Sequence, residues 1–192
     1  MIHAAKFIKV SYGENETMTD EPPKNRETLD EDLLKSARIA TDHGHYGIRI
    51  DRDAVWWRDG LPFTRPSLVK LFSTVLLLDD DRQYWLQTPA EKGRIDVDDV
   101  PFTAIEMAKE DGVIKFRTNL DEWVTLDADH PLRVGIDSET DEPRPYITVR
   151  SNLEARLLRP VYYELAGSAE EQDGAFYVTS GGVRFRLGEA EA

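Results

Sequence analysis

Tyr46-Gly47-Ile48-Arg49-Ile50-Asp51-Arg52-Asp53-Ala54-Val55-Trp56-Trp57-Arg58-Asp59-Gly60-Leu61-Pro62-Phe63-Thr64 is the stretch that decides the fold. Apolar and β-branched runs flank Asp59-Gly60, a dipeptide whose two positions favour the positive φ of a tight hairpin turn, so the segment predicts a strand pair. Downstream, Pro66 stands where a helix can start, because its missing N–H would have no intrahelical partner there. Leu68, Leu71, Phe72, Val75 and Leu76 then fall at i, i+3, i+4, i+7 and i+8, one apolar helical face. Asp79-Asp80-Asp81 is expected to end that helix, and Tyr84-Trp85-Leu86, bounded by Thr88-Pro89, to resume a strand.

Working outward, further strands are expected over 102–109, 113–118 across the Asp111-Gly112 turn, 123–126, 132–136 and 146–149. A helical segment over 152–165 follows, then a hairpin of Phe176-Tyr177-Val178 with 183–187 around Ser180-Gly181-Gly182. Upstream, 13–32 is acid- and proline-rich and reads as a loosely tied leader, and Leu29, Leu33, Ala37 and Ala40 predict one helix over 27–40.

The order strand, Arg, helix, acidic turn, aromatic strand occurs twice. One copy runs through Ile48–Asp51, Pro62–Arg65, Leu68, Asp79-Asp80 and Tyr84-Trp85-Leu86. The other runs through Val134–Asp137, Ile147–Arg150, Leu153, Asp173-Gly174 and Phe176-Tyr177-Val178. A competing register aligns Arg65-Pro66 with Arg159-Pro160. The expected fold is therefore α+β: two similar small lobes produced by duplication, each a mainly antiparallel sheet with a helix, with a crevice between them. The expected divisions are 1–45, leader plus helix; 46–131, first lobe; and 132–192, second lobe.

The 192 residues are 40% hydrophobic, with four Trp, seven Tyr and seven Phe, so the chain can fill a core. A net charge of −13 repels phosphate backbones and anionic headgroups, which argues against nucleic acid and membrane surfaces as partners. The absence of cysteine removes disulfides and thiolate chemistry. With no membrane-length apolar run and no signal-like start, a cytoplasmic location is expected.

Site chemistry is sparse. Thr88-Pro89-Ala90-Glu91-Lys92-Gly93-Arg94 reads as a proline-stiffened turn able to offer Lys92 and Arg94 to a phosphate or carboxylate and Glu91 to a base or ribose hydroxyl, or as a solvated hairpin turn. Arg65 and Arg150 each precede an expected helix, and each could equally pair with a neighbouring acid. His43 and His45 lack a third metal ligand, and Asp79-x-Asp81-x-Gln83 fails as a calcium loop at Tyr84 and Ala90. No nucleophile elbow or phosphate-cradling loop is present, so no catalytic residue, metal or cofactor is assigned.

Gly60-Leu61-Pro62-Phe63-x-Arg65, Leu68 to Leu76, Thr88-Pro89-x-Glu91-Lys92, Val100-Pro101-Phe102, Phe116-Arg117-Thr118-Asn119, His130-Pro131-Leu132-Arg133, Arg144-Pro145-Tyr146 and Leu153-Glu154-Ala155 together resemble the bacterial family named domain of unknown function 1285, over about residues 46–188. The resemblance implies a duplicated two-lobe core, a second lobe similar to pleckstrin-homology-like folds, a nucleotide-like ligand at the lobe interface and a role in signalling. Members often carry Asp-Gly before the tryptophan matching Trp56; here Asp53-Ala54-Val55 stands in its place.

The leading expectation is a sensing module in which Arg65, Lys70, Thr88, Glu91, Lys92 and Arg150 bind a small anionic, nucleotide-like molecule in the crevice. The alternatives are a protein-interaction module presenting strand edges or one of Trp56 and Trp57, and an enzyme using Glu91 or His130 as acid or base.

Overall fold

A computed structural model describes residues 40–137 and 140–190, so the expected helix over 27–40 lies, but for Ala40, outside the described residues. The first sheet comprises β1 (Thr41–Ile50), β2 (Trp56–Arg58), β3 (Leu61–Pro62), β4 (Leu76–Leu78), β5 (Tyr84–Gln87) and β6 (Glu91–Val97), with helix α1 (Pro66–Thr74) between β3 and β4. Its strand order is β3-β2-β1-β6-β5-β4, antiparallel throughout except for the parallel pair β1/β6. The second sheet holds β7 (Phe102–Glu110), β8 (Val113–Thr118), β9 (Trp123–Thr125), β10 (Leu132–Ile136), β11 (Pro143–Arg150) and β12 (Leu153–Leu157). Read from its other edge it runs β9-β8-β7-β12-β11-β10, the same path with every label raised by six, and β7/β12 is again its parallel pair.

The chain is thus a duplication of a mixed six-stranded sheet, mostly β with few helices. The copies align differently from the sequence echo. Tyr84–Leu86 lies in β5, whose counterpart is β11, whereas Phe176–Val178 belongs to a separate three-stranded sheet of β13 (Glu170–Gln172), β14 (Ala175–Ser180) and β15 (Val183–Glu189). The helices are not equivalent either: α1 follows the third strand of its sheet, while α2 (Arg159–Ala166) follows the sixth strand of the second. The division at 131/132 cuts through the second sheet, because β10–β12 are hydrogen-bonded into it; the junction between sheets falls at 98–101. β1 begins at Thr41, so residues 41–45 are strand rather than leader.

Two helical expectations change for one reason. Leu76-Leu77-Leu78 continues the helical spacing of α1, yet it pairs with Leu86, Trp85 and Tyr84 as β4, so α1 ends at Thr74 rather than at Asp79. Ser73 and Thr74 direct their hydroxyls back to the Lys70 and Leu71 carbonyls, completing the last turn. Likewise 153–157, expected as helix, is β12, with Leu153, Ala155 and Leu157 buried and Glu154 and Arg156 alternating outward. Short apolar runs suit either period, and here pairing to a neighbouring strand decides. Leu71, expected on the apolar face, is 60% exposed.

Local turn chemistry is strongly repeated. Asp59-Gly60, Asp111-Gly112 and Asp173-Gly174 all place both residues at positive φ, between 50° and 78°, and close two-residue hairpins. A second device recurs at Asp51–Val55, Asp79–Gln83 and Thr118–Glu122. The first side chain accepts the N–H of the fifth residue, at 2.9, 2.7 and 3.2 Å, and the fourth residue (Ala54, Arg82 or Asp121) is left-handed. In the first two of these turns the second carboxylate oxygen also accepts an indole N–H six residues on, from Trp57 and from Trp85, both at 2.7 Å.

Trp56, Phe102, Phe116, Ile114 and Ile147 lie in one continuous hydrophobic cluster that draws on all three sheets. The third sheet joins the second through Ser180, fully buried, whose hydroxyl accepts the Ile114 N–H at 2.9 Å, and through Gly181 N–H donating to the Gly112 carbonyl. Ser180→Ala should strand the Ile114 donor and cost about 1–3 kcal/mol, read as a lower urea midpoint at unchanged slope. Ser180→Gly should cost at least as much.

Candidate functional site

The six residues expected to converge do not share one cleft. Arg65 is exposed at the start of α1, where its carbonyl accepts the Leu68 and Val69 N–H groups. Lys70 and Arg150 bond neighbouring acids, Asp121 and Glu122, and so clamp α1 to the second sheet. Lys70 Nζ donates to Asp121 at 2.7 Å, while Arg150 bonds Glu122 at 2.7 Å and the Ser73 carbonyl at 2.8 Å, with its guanidinium 5.0 Å above the Phe102 ring. Thr88 and Glu91 line a small apolar cavity under α1, and the Thr88 hydroxyl is engaged by the Ala90 and Glu91 N–H groups. Lys92, one residue further along β6, points to the other side of the sheet, 4.5 Å above the Trp85 ring and 4.0 Å from Asp42. Strand alternation, which the reading of 88–94 as a single turn ignores, separates Glu91 from Lys92.

The remaining candidates have local partners. His43 faces Glu91 and His45 faces Asp96, both at 3.3 Å, and His130 Nδ1 lies 3.0 Å from Asp127. Among the described residues no three His, Cys, Asp or Glu gather as a metal-binding group. Trp56 is buried, and Trp57 is half-buried with its indole held by Asp51.

Guanidinium groups converge instead at a cavity of about 290 Å³ bounded by the start of β11, the end of β12 and the first turn of α2. Arg144, Arg156 and Arg159 line it with Tyr162 and Tyr163. Strand alternation sends Arg156 out of the core between buried Ala155 and Leu157, and Pro143 and Pro145 flank Arg144. Arg144 is paired with buried Asp137 and Arg159 with exposed Glu142. Helix α2 opens without a side-chain cap, Leu158 occupying that position, and Pro160 stands in its first turn, so its N-terminal partial positive charge is offset by no side chain of its own.

Arg156 ties this cavity to the first lobe. Its Nη2 donates to the Arg52 carbonyl at 2.6 Å and lies 3.7 Å from the Asp53 carboxylate, both in the β1–β2 turn; its Nε lies 3.2 Å from Asp99 in the link between sheets. That last pair is in ionic contact without hydrogen-bond alignment. Asp99 also accepts the Tyr146 hydroxyl at 2.9 Å, and burial, followed by the Asp99 charge, raises the Tyr146 pKa. Arg133 covers the Tyr146 ring at 3.9 Å while forking onto Glu154.

Several carboxyls elsewhere sit below the ordinary Asp value of 3.8: Asp79 through the Gln83 N–H and the Trp85 indole, Asp98 through Arg49, and Asp121 through Lys70 and Arg117. For Asp127, burial pushes upward but the His130 bonds outweigh it. Because the folded values are depressed, the unfolded chain binds more protons in acid, so this stability is present above the unfolded value and lost as pH falls through the folded ones. Urea midpoints should therefore change little between pH 7 and 5 through these groups and drop below about pH 4.

The protein is thus a β-rich duplication of one six-stranded sheet, with a charged cavity between the second sheet and α2. Family models for the N- and C-terminal domains of DUF1285, a family of unknown function, match residues 40–100 and 101–187, breaking at the junction between the sheets. The chain belongs to the DUF1285 family. It is similar to the crystal structure of a DUF1285 family protein from Silicibacter pomeroyi DSS-3, at 35% identity and TM-score 0.73, covering 82% of this chain and 94% of that one. A DUF1285 family protein from Shewanella baltica OS155, at 22% identity and TM-score 0.52, covers 63% of this chain and 91% of that one and shares the fold. No curated protein matches. Among the described residues, no helix is long and apolar enough to cross a membrane.

Proposed function

We propose that this protein is a ligand-sensing module that binds a small anionic, nucleotide-like molecule in the Arg144–Arg156–Arg159 cavity. The observation that carries the reading is the gathering of three guanidinium groups and an uncapped helix N-terminus around one cavity, in a chain of net charge −13. Arginine forks suit phosphate oxygens, and a helix N-terminus favours negative charge. Tyr162 and Tyr163, with ring centroids 6.3 Å apart, supply aromatic surface for a planar base. An incoming phosphate takes the place of Glu142 on Arg159, since that acid is half-exposed and free to turn into solvent.

A role in signalling follows from Arg156. Any anion that draws its guanidinium into the cavity loosens its contacts with the Arg52 carbonyl and Asp53, and so alters the attachment of the first lobe to the second. A likeness of the second lobe to pleckstrin-homology-like folds belongs to the same proposal, supported by a sheet antiparallel but for β7/β12, with one helix packed on β7. We place the protein in the cytoplasm on the strength of its cysteine-free sequence.

The test is calorimetric titration with pyrophosphate, AMP and ADP. The wild type should bind at least one, and Arg159→Gln, a change at an exposed side chain, should weaken that binding about tenfold while leaving the melting temperature of the free protein within a degree or two. Equal affinity in the two proteins would remove the cavity from consideration.

A further inference from the structure

A second cavity, of about 220 Å³, opens on the inner face of the first sheet beneath α1. Its floor is apolar, made by Ile48 and Leu86 from the sheet, Phe72 from the last turn of α1, Val75 just beyond it, and the Tyr46 ring. The Tyr46 wall is fixed by an unusual approach. A Cβ built on Gly93 would lie 2.5 to 2.7 Å from three atoms of that ring, so only glycine lets the ring lie flat against β6. The volume is below the roughly 300–1,000 Å³ of pockets for drug-sized ligands, which confines any occupant to a handful of carbons.

The rim carries one charge of each sign. Arg58, cross-strand from Ile48, is paired among the described residues with the adjacent Asp59 alone, at 3.6 Å, and is 62% exposed. Among the described residues Glu91 has His43 as its one ion-pair partner, at 3.3 Å, and its side chain is 56% exposed. Both therefore remain open to a ligand, in contrast to Arg49, Arg117 and Arg133, whose guanidinium groups are forked onto acids.

An apolar floor beneath a guanidinium and a carboxylate is complementary to a small zwitterion with a hydrocarbon body. We propose that this cavity binds a free α-amino acid with a large apolar side chain: the side chain against Phe72, Val75 and Leu86, the carboxylate on Arg58 and the ammonium on Glu91. A simple fatty acid would leave Glu91 without its partner, and an alkylamine would leave Arg58 without one. A site built to pair both groups discriminates against ligands lacking either. Glycine would satisfy the rim but bury no apolar surface. This site is separate from the arginine cavity, and neither proposal rests on the other.

The experiment is a thermal-shift and calorimetric comparison of L-leucine and L-phenylalanine with glycine, 4-methylvalerate and isoamylamine, all at millimolar concentration. L-leucine or L-phenylalanine should bind the wild type, with glycine and the two single-charge analogues at least about tenfold weaker. Arg58→Gln and Glu91→Gln should each weaken binding about tenfold, while Arg159→Gln should leave it unchanged, separating this site from the other. Val75→Phe, which fills the floor, should abolish binding while the protein still melts cooperatively. The proposal is overturned if no apolar amino acid binds, if 4-methylvalerate or isoamylamine binds as well as leucine, or if Arg58→Gln and Glu91→Gln retain wild-type affinity.

Discussion

Trp56→Ala should destabilise the protein by about 3–5 kcal/mol, whereas Trp56→Phe should cost about 1 kcal/mol or less. Trp56 is 2% exposed and forms a triangle of rings with Phe63 and Phe72, its centroid 6.3 Å from each and theirs 5.9 Å apart. Truncation to alanine opens a cavity where β2 meets α1, and the surrounding strands cannot collapse into it. The phenyl variant differs because the indole N–H is buried and has no acceptor among the described residues. Phenylalanine removes that lone donor and keeps most of the ring contact, so the lost packing is offset. Urea unfolding followed by far-ultraviolet circular dichroism measures both. Equal losses for the two variants would show that the indole N–H contributes favourably in the folded protein.

Gly93→Ala should be the most damaging single-methyl addition in the first sheet, at about 1–3 kcal/mol. The added carbon must displace the Tyr46 ring, and Tyr46 stacks on His43 and walls the cavity under α1. Combining Gly93→Ala with Tyr46→Leu should restore most of the loss, because the second change removes the atoms the methyl meets; the coupling between the two, rather than either single value, is diagnostic. Additive effects would mean that glycine is required by the β6 backbone and not by the ring.

Local turn chemistry made much of this fold legible. Asp59-Gly60 and Asp111-Gly112 announced hairpins because both residues of such a turn are decided by their own φ preference, and each forms one; Asp173-Gly174, expected as an acidic turn after a helix, closes a third. The Asp51-x5-Trp57 and Asp79-x5-Trp85 spacings were equally readable, but as a carboxylate serving a turn and an indole together they are a less familiar signal. The parallel pairs β1/β6 and β7/β12 were not legible. Each joins the first strand of a sheet to its sixth, and nothing local in Glu91–Val97 or Leu153–Leu157 names so distant a partner. That is also why 153–157 passed for helix and why the echo was aligned on the wrong strands.

The site was obscured for a related reason. Arg144, Arg156 and Arg159 lie on two strands and a helix whose adjacency depends on the β11/β12 pairing, so no contiguous motif contains them. The available signal was a cluster of arginines between 144 and 159 in a strongly acidic chain. The 88–94 segment concentrates charge beside a proline, but alternation along β6 divides those charges between two faces.

Backbone amide chemical-shift mapping with ADP reports where a nucleotide binds as well as how tightly. Binding in the arginine cavity predicts perturbations at Arg144, Arg156 and Arg159 to Tyr163, with a smaller response at Arg52 and Asp53 transmitted by Arg156. Perturbations confined to Thr88–Lys92 or to Lys70 and Arg150, or a spectrum unchanged at saturating nucleotide and pyrophosphate alike, would contradict it.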